Sequence, residues 1–532
     1  MNRWRLGLGA VLALALGLRL WGFRHGLPFV YNADESAHFV PKAVRFFGEG
    51  YNPGYFKNPP GFTYLIHGLY AVWLGGDEAA QRFRDDPGGL FAVARVTSAL
   101  LGTAAVGLVY AAGARLFDRR AGLLAAAVLA VAFLPVFYSH LALNDGPALF
   151  PVALALFGCA GILRRGRFVD YALAGAGLGL GAATKYTAGI VLVSLLVAAA
   201  AQIRPQEGRR RGVQGLALAA GVAFLAFFVA NPYALLDFSH FREQLQQQGA
   251  LAGRHKLGAG DQNGIEFYLW VFTWGLGWLP ALAALLGAGA ALVRDRWAGL
   301  MLALPIPLYL AYMATQERHF GRWLLPVFPV AAILAGYGAL WLATRASLRQ
   351  PRYAQAFVAA ATVLLLAQGL VYSVHNDVVL TREDTRTATR NWMLENVPEG
   401  SQIVLEPAVP AKRWIREDGL RLWERNALNF QVESYAANLE PSLIDEYERA
   451  GACWVVSAST VFGRPFAEPY RAPNAIAYYW ELGQRAEVVY RAVPWRSRVG
   501  FNFDWSFDWY PLRYHHPGPE MTVYRLRGGS CA

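Results

Sequence analysis

Long apolar runs recur along about the first 370 residues, and they constrain the fold of this chain more than any other feature. A membrane-spanning helix needs about 20 mainly apolar residues, because hydrocarbon offers no hydrogen-bond partner to backbone N–H and C=O groups. A stretch at 171–202 is longer than one span and is interrupted by Thr184 and Lys185, which predicts two helices that meet near one membrane interface. The other candidate spans are 5–23, 92–113, 121–138, 146–163, 213–231, 267–292, 297–314, 323–343 and 354–373. The sequence therefore predicts a mainly α-helical, polytopic membrane protein with about eleven transmembrane helices.

The composition changes after about Tyr372, where the long apolar runs end. Over the whole chain 16% of residues are charged, against about a quarter in soluble proteins. We therefore predict a transmembrane domain at 1–375 and a soluble α/β domain outside the cytoplasm at 376–532. Within the second domain the patterns predict a helix at about 382–396 and short strands at QIVLE, CWVVS, AEVVY and MTVYRL.

Aromatic clusters and cysteines add detail to the second domain. The sequences YYW (478–480) and FDWSFDWY (503–510) suit either stacking on sugar rings or contact with the membrane surface. Cys159 lies inside an apolar run, so at most one disulfide, between Cys453 and Cys531, is conceivable.

Loop charge indicates the topology. The segment 60–75 is apolar but short, and it follows a Pro-Pro pair. If it lies flat as an interfacial helix within an outer loop at 24–91, the remaining inner loops hold 17 Lys and Arg residues against three Asp and Glu residues. The positive-inside rule then predicts a cytoplasmic N-terminus and an extracytoplasmic C-terminus. We expect the membrane to be the plasma (inner) membrane. This distribution explains the net charge of +12, so we expect no nucleic-acid partner.

Two acidic motifs lie at the predicted outer face. Asp34-Glu35 follows the first span, and Asn144-Asp145 precedes the fourth. Carboxylates at such positions could accept a proton from a nucleophile or bind a cation. The simpler alternative is helix capping, by Asn32 or Asp34 in the first motif and by Asp145 in the second.

Cations lie at the same predicted face. Lys57 precedes Asn58 and a Pro-Pro pair, and Lys185 interrupts two apolar helices. Arg318 and Arg322 occupy an outer loop that violates the positive-inside rule, which an anionic ligand or an ion pair with Glu317 would explain. Lys57 could bind a lipid phosphate, or it could simply extend to the membrane surface.

These motifs, taken in order, resemble the polyprenyl-phosphate-dependent glycosyltransferases of the GT-C fold. That group includes protein O-mannosyltransferases and the lipid A aminoarabinose transferase. The matching features are Asp34-Glu35, Lys57-Asn58-Pro59-Pro60, RLFDRR (115–120), Asn144-Asp145, Thr184-Lys185, RHFGR (318–322) and DTRTATRNWMLENVPEGSQIVLEP. The family usually has Lys directly before the Pro-Pro pair, whereas here Asn58 intervenes, so the phosphate role falls to Lys57, Asn58 or a neighbour.

The resemblance implies roles for these residues. Asp34 would be the general base that deprotonates an acceptor hydroxyl in an inverting transfer. Glu35 and Asp145 would bind donor or acceptor hydroxyls, or together hold a divalent metal cation. The carrier phosphate and the sugar would be bound by residues from the same set: His38, Lys57, Asn58, Lys185, Arg318 and Arg322.

The resemblance also implies partners. These are a polyprenyl-phosphate-linked sugar donor, a lipid, glycan or protein acceptor, and membrane lipids. The main alternative is a secondary transporter of a polar or anionic solute. Transporters are commonly built from repeated halves with paired broken helices, and the sequence shows neither.

Overall fold

The computed structural model describes residues 3–259, 263–406, 414, 421–423, 432–497, 499–501 and 511–531. Backbone contacts divide the chain into two compact units. Unit 1 comprises Met1–Phe23, Ala37–Leu251 and Asn263–Val374, and unit 2 comprises Arg24–Ser36, Ala252–Gln262 and His375–Ala532. Two short segments from the first half of the chain therefore belong with the C-terminal residues.

Unit 1 is built from long apolar helices. Among the described residues, seven helical stretches are long and apolar enough to cross a membrane, and a pair bent by 57°, Arg119–Val131 and Phe133–Ser139, would add an eighth. The seven are Gly88–Leu116, Tyr186–Ile203, Gln206–Ala230, Gly264–Arg294, Arg296–Ala314, Gly321–Leu348 and Pro351–Asn396, the last of which contains the helix Ala354–Leu380. The fold class predicted from the sequence, a polytopic and mainly α-helical membrane protein, is confirmed.

Three further predicted spans are helices at the limit of the required length. Leu149–Arg165 and Phe168–Thr184 have 17 residues each, and a 17-residue helix is about 26 Å long against about 30 Å of hydrocarbon. Arg3–Leu20 has 18 residues and carries three arginines. The total of eleven spans stays a prediction. The segment 60–75 contains a helix of 14 residues, Gly61–Leu74, which is too short to cross.

Small residues bring the helix Phe168–Thr184 unusually close to its neighbours. A Cβ atom at Gly175 would lie 2.3 Å from the Ala219 carbonyl oxygen, and one at Gly177 would lie 2.4 Å from the Ala155 nitrogen. Close approach through small residues is typical of helix packing in membranes, where dispersion contacts supply much of the attraction. This packing fixes the C-terminal end of the helix, where Thr184 and Lys185 lie.

Unit 2 contains one mixed five-stranded sheet. Its strands are β1 (Gln402–Leu405), β2 (Arg421–Trp423), β3 (Trp454–Ala458), β4 (Ala486–Ala492) and β5 (Met521–Leu526), in the order β2-β1-β3-β5-β4. β1 is parallel to β2 and β3, whereas β5 is antiparallel to β3 and β4. The four predicted strands are present, and β2 is the additional one.

Helices flank this sheet and complete the core of unit 2. The predicted helix at 382–396 is observed as Thr385–Asn396, and Asp384 caps it by accepting a hydrogen bond from the Arg386 backbone N–H. The other main helices are Val432–Asn438, Ser442–Ala450, Ser459–Ala467 and Pro473–Arg485. Cys453 and Cys531 form the conceivable disulfide, and Cys159 is free and buried. The aromatic segment 503–510 lies outside the described residues.

Candidate active site

A buried ion pair lies where one helix of unit 1 is broken. The helix Phe168–Thr184 ends at Lys185, and a 3-10 turn, Tyr186–Ile190, continues the chain. The Lys185 ammonium donates a hydrogen bond to the Asp145 carboxylate, and the two residues are only 8% and 3% exposed. The Asn144 amide donates to the Thr184 carbonyl oxygen over 2.7 Å. Two hydrogen bonds therefore join the motif Asn144-Asp145 to the motif Thr184-Lys185.

The segment containing Lys57 and Asn58 is held beside this break. On one side of it, the Tyr186 hydroxyl donates to the Phe56 carbonyl oxygen over 2.8 Å. On the other side, a Cβ atom at Gly61 would lie 2.5 Å from the Ala183 carbonyl oxygen, so this glycine permits direct backbone contact. Lys57 and Asn58 thus lie between two anchor points on the residues that flank Lys185.

Tyr55 is the centre of a small polar cluster in the same segment. Its ring stacks on the His38 ring with a centroid distance of 4.5 Å, and its hydroxyl accepts a hydrogen bond of 3.0 Å from the Asn58 amide. The Lys42 ammonium lies 4.6 Å from the centroid of the Tyr55 ring. Burial lowers the pKa of Lys42, and the nearby charge of Arg45 lowers it further. The structure therefore joins the predicted residues His38 and Asn58.

Lys42 is a cation that sequence reasoning missed. It lies four residues after His38, in the helix Val40–Arg45, so both side chains belong to the same stretch of chain. This spacing could have indicated Lys42, but nothing in the sequence shows that the Tyr55 ring contacts both His38 and Lys42.

The helix Phe238–Ala252 holds the residues just before Lys57 and Asn58 in place. Gln244 accepts a hydrogen bond of 2.6 Å from the Phe56 backbone N–H and donates one of 3.2 Å to the Gly54 carbonyl oxygen. The Asn52 amide donates to the Asp237 carboxylate over 2.8 Å, and this bond lowers the pKa of Asp237 below its usual range. These contacts were not predicted, because they join residues about 190 positions apart.

Arg318 lies in the loop before an element that packs on the helix break, and Arg322 lies within that element. The 3-10 helix Gly321–Val327 contacts the turn Tyr186–Ile190, and the Tyr309 hydroxyl donates to the Trp323 carbonyl oxygen over 2.5 Å. The Arg322 guanidinium lies 4.5 Å from the centroid of the Phe320 ring. The structure therefore brings the arginine loop to the same region of unit 1 as Asp145 and Lys185.

His319, between the two arginines, is 7% exposed and packs against Phe267 at a centroid distance of 5.5 Å. Among the described residues its Nε2 atom has no hydrogen-bond partner. Burial lowers the pKa of His319, although the Gln316 backbone and the charge of Glu317 oppose this shift.

Asp34 and Glu35 belong to unit 2. The Asn32 side-chain oxygen accepts hydrogen bonds of 3.1 Å from the backbone N–H groups of both residues, so Asn32 caps this helix start. Glu35 is fully buried and begins a π-helical turn, Glu35–Phe39. Such turns are rare and often mark functional sites. Capping and chemistry are compatible, because the cap is made by the Asn32 side chain and not by the Asp34 carboxylate.

The residues before Asp34 are tied to the C-terminal part of unit 2. The Arg386 guanidinium donates two hydrogen bonds of 2.8 Å to the Asp384 carboxylate and a third of 3.3 Å to the Tyr31 carbonyl oxygen. It also lies 4.1 Å from the centroid of the Tyr31 ring, and the Tyr31 hydroxyl hydrogen-bonds to Thr387 over 2.7 Å. The position of the acidic motif in unit 2 therefore depends on the helix Thr385–Asn396.

The donor set at Asp145 does not fit a metal ion. One oxygen of its carboxylate, Oδ1, accepts a hydrogen bond from the Lys185 ammonium, and this cation would repel a divalent metal ion. No group of three or more His, Cys, Asp or Glu side chains within the described ranges could hold a metal ion. We therefore derive no step through a metal. The relation of Asp34 and Glu35 to Asp145, which lies in the other unit, stays a prediction.

The sequence matches known proteins over part of its length. Residues 88–233 match the family model of dolichyl-phosphate-mannose-protein mannosyltransferases. The chain is 26% identical over 351 residues to the lipid A galacturonosyltransferase RgtD of Rhizobium johnstonii, covering 62% of this chain and 65% of the relative. The chain thus spans less than two thirds of the length of that relative.

The fold matches solved structures over nearly the whole chain. ArnT from Cupriavidus metallidurans bound to undecaprenyl phosphate is similar with a TM-score of 0.51 and 14% identity, over 98% of each chain. The oligosaccharyltransferase AglB from Archaeoglobus fulgidus, in complex with an inhibitory peptide and a dolichol-phosphate, is similar with a TM-score of 0.57 and 13% identity. That match covers 93% of this chain and 73% of the other. These likenesses confirm the fold predicted from the sequence.

Proposed function

We propose, from the premise that this chain has the GT-C glycosyltransferase fold, that it is a membrane glycosyltransferase. It moves a sugar from a polyprenyl-phosphate donor to an acceptor hydroxyl at the outer face of the plasma membrane, with inversion at the anomeric carbon. The observation that carries the proposal is the Asp145–Lys185 pair, with the Lys57–Asn58 segment anchored beside it. Charged groups concentrated at one helix break in an apolar bundle are costly unless a substrate uses them.

The acceptor proposed first is a lipid with exposed sugar hydroxyls. The similarity to a lipid A galacturonosyltransferase supports this choice, and the matched structure that holds undecaprenyl phosphate supports a polyprenyl-phosphate donor. The similarity to RgtD also makes a uronic acid a reasonable first sugar to test, although the proposal does not depend on it.

The reaction needs a base on the acceptor side. Asp34 accepts the proton of the acceptor hydroxyl, whose oxygen forms a bond to the anomeric carbon while the bond from that carbon to the phosphate oxygen breaks. The electron pair of the broken bond leaves with the polyprenyl phosphate. Glu35 and Asp145 bind sugar hydroxyls and orient the two reactants.

The leaving phosphate needs cations. Lys57, Arg318 and Arg322 stabilise its charge as the bond breaks, and Lys42 adds a further cation beside His38 and Asn58. Lys185 has a different role from a free phosphate ligand, since its ammonium holds Asp145 in position.

Two measurements test the proposal. Mass spectrometry of lipids and glycans from a strain lacking the protein identifies the missing modification. Purified protein is then assayed for release of polyprenyl phosphate from the corresponding labelled donor. Asp34→Asn should reduce transfer by a factor of about 10²–10⁴, the usual contribution of a general base, while membrane insertion stays intact.

A matched control is Glu49→Gln, which removes an exposed carboxylate paired with Arg45 and should retain activity. Full activity in Asp34→Asn would exclude the assigned base. Solute uptake into vesicles without release of polyprenyl phosphate would instead favour the transporter.

A further inference from the structure

Unit 2 contains a cavity of about 780 Å³ that the proposed transfer reaction does not use. Ligand pockets commonly measure about 300–1,000 Å³, so this one can hold a small molecule. Six aromatic rings are among the described residues that line it: Phe462, Phe466, Tyr479, Trp495, Phe501 and Tyr524. The helices Ser459–Ala467 and Pro473–Arg485 and the sheet supply most of these rings.

One aromatic wall of this cavity is fixed by glycines. A Cβ atom at Gly258 would lie 2.6 Å from the Phe501 ring, and one at Gly463 would lie 2.4 Å from it. The ring therefore occupies space that any other residue at these two positions would take. The Arg464 guanidinium lies 5.8 Å from the centroid of this ring and is itself held by a 2.9 Å hydrogen bond to the Leu257 carbonyl oxygen. Phe501 is thus positioned before any ligand binds.

Polar groups lie among the aromatic rings. Arg491 on β4 pairs in register with Thr522 on β5, and the Arg491 guanidinium lies 3.4 Å from the Glu520 carboxylate. Thr522 and Tyr524 are two residues apart on β5, so they share one face of the sheet. Among the described residues that line the cavity, Arg491 and Glu520 are the charged ones, and because their charges have opposite signs they add no net charge.

We propose that this cavity binds an uncharged saccharide ring. Flat aromatic faces suit the apolar C–H face of a sugar, while arginine, glutamate and threonine supply the donors and acceptors that hydroxyls need. The paired charges disfavour an anionic ligand, because either ion would lose its partner. We assign this saccharide ring to the glycan part of the acceptor. That assignment rests on the proposed function.

Binding is tested on the purified full-length protein without any polyprenyl donor. Saturation-transfer NMR titrations use methyl glucoside, methyl galactoside and methyl mannoside as neutral probes and galacturonic acid as the anionic probe. At least one neutral glycoside should bind saturably, and more tightly than galacturonic acid. Phe466→Ala should weaken this binding about tenfold, the scale of one lost aromatic contact.

Phe466 is 53% exposed, so replacing it by alanine should leave the fold intact. Arg491→Gln is a second variant, which removes a charged group that lines the cavity. The matched control is Trp480→Ala. The Trp480 ring is 68% exposed and follows Tyr479 in the chain, but unlike Tyr479 it does not line the cavity. Asp34→Asn should bind the glycosides as the wild type does, which separates this assignment from the transfer reaction.

Three results would overturn the assignment. These are no glycoside binding by the wild type, tighter binding of galacturonic acid than of every neutral probe, or cavity variants that bind as tightly as Trp480→Ala.

Discussion

The Lys185 ammonium donates a hydrogen bond to the Asp145 carboxylate, and both side chains are almost completely buried in unit 1. A buried pair of this kind is costly to break, because removing one partner leaves an uncompensated charge in a medium of low dielectric constant. The pair also places the carboxylate at the end of the broken helix, beside the segment that carries Lys57 and Asn58. We therefore propose that Lys185 positions Asp145, whereas the sequence had indicated Lys185 as a ligand of the carrier phosphate or the sugar.

Lys185→Met should destabilise the protein by about 3–5 kcal/mol, since it leaves Asp145 buried and unpaired. Thermal unfolding in detergent and transfer activity are measured together, and both should fall. Adding Asp145→Asn to this variant removes the uncompensated charge, so the double variant should recover stability without recovering activity. If the double variant is no more stable than Lys185→Met, the two side chains are not energetically coupled.

Gly61→Ala should reduce both stability and activity. The added methyl group would lie 2.5 Å from the Ala183 carbonyl oxygen, a backbone atom that cannot move without shifting the helix break. Overpacking of this kind costs about 1–3 kcal/mol. Gly68→Ala is the matched control in the same helix, because nothing lies within 4 Å of its added Cβ atom. Equal thermal stability and activity of the two variants would contradict the close contact.

The stability of the wild type should depend on pH through His319. Burial lowers the pKa of this residue in the folded protein below the ordinary value of about 6.5 that applies when it is unfolded. The unfolded state therefore binds the proton first on acidification. The stability that the neutral His319 contributes is fully present above about pH 6.5. It is lost as the pH falls through the pKa of His319 in the folded protein.

Thermal unfolding from pH 7.5 to 5 measures this effect. His319→Gln lacks the titrating ring, so its melting temperature should fall less over this range than that of the wild type. Parallel curves for the two proteins would show that the protonation of His319 is not linked to folding.

The Cys453–Cys531 disulfide should be present in cells if unit 2 lies outside the cytoplasm, because disulfides persist in oxidising compartments. Maleimide labelling of denatured protein should then modify one of the three cysteines, Cys159, without reductant and all three with it. Three labelled cysteines without reductant would contradict the predicted orientation. Replacing both cysteines by Ser should cost about 2–5 kcal/mol, because the bond closes a long loop in the unfolded chain.

The sequence by itself determined the class of fold and the identity of the charged motifs. Hydropathy over some 20 residues is a local property, so the apolar helices and four strands of unit 2 could be predicted directly. The helix break at Lys185 followed in the same way, from a polar pair inside an apolar run. The strand β2 was missed, because three residues carry too little pattern to be recognised.

The tertiary structure alone decided which of these residues meet. Lys185 pairs with Asp145 across 40 positions, and Gln244 fixes the Phe56 backbone across 188, which no local pattern can indicate. It also decided that residues 24–36, with Asp34 and Glu35, pack in unit 2. Such contacts depend on how closely glycine-rich helices approach and on which buried charges then find partners. These contacts are properties of tertiary packing, whereas hydropathy and turn chemistry are set by residues that are close in the sequence.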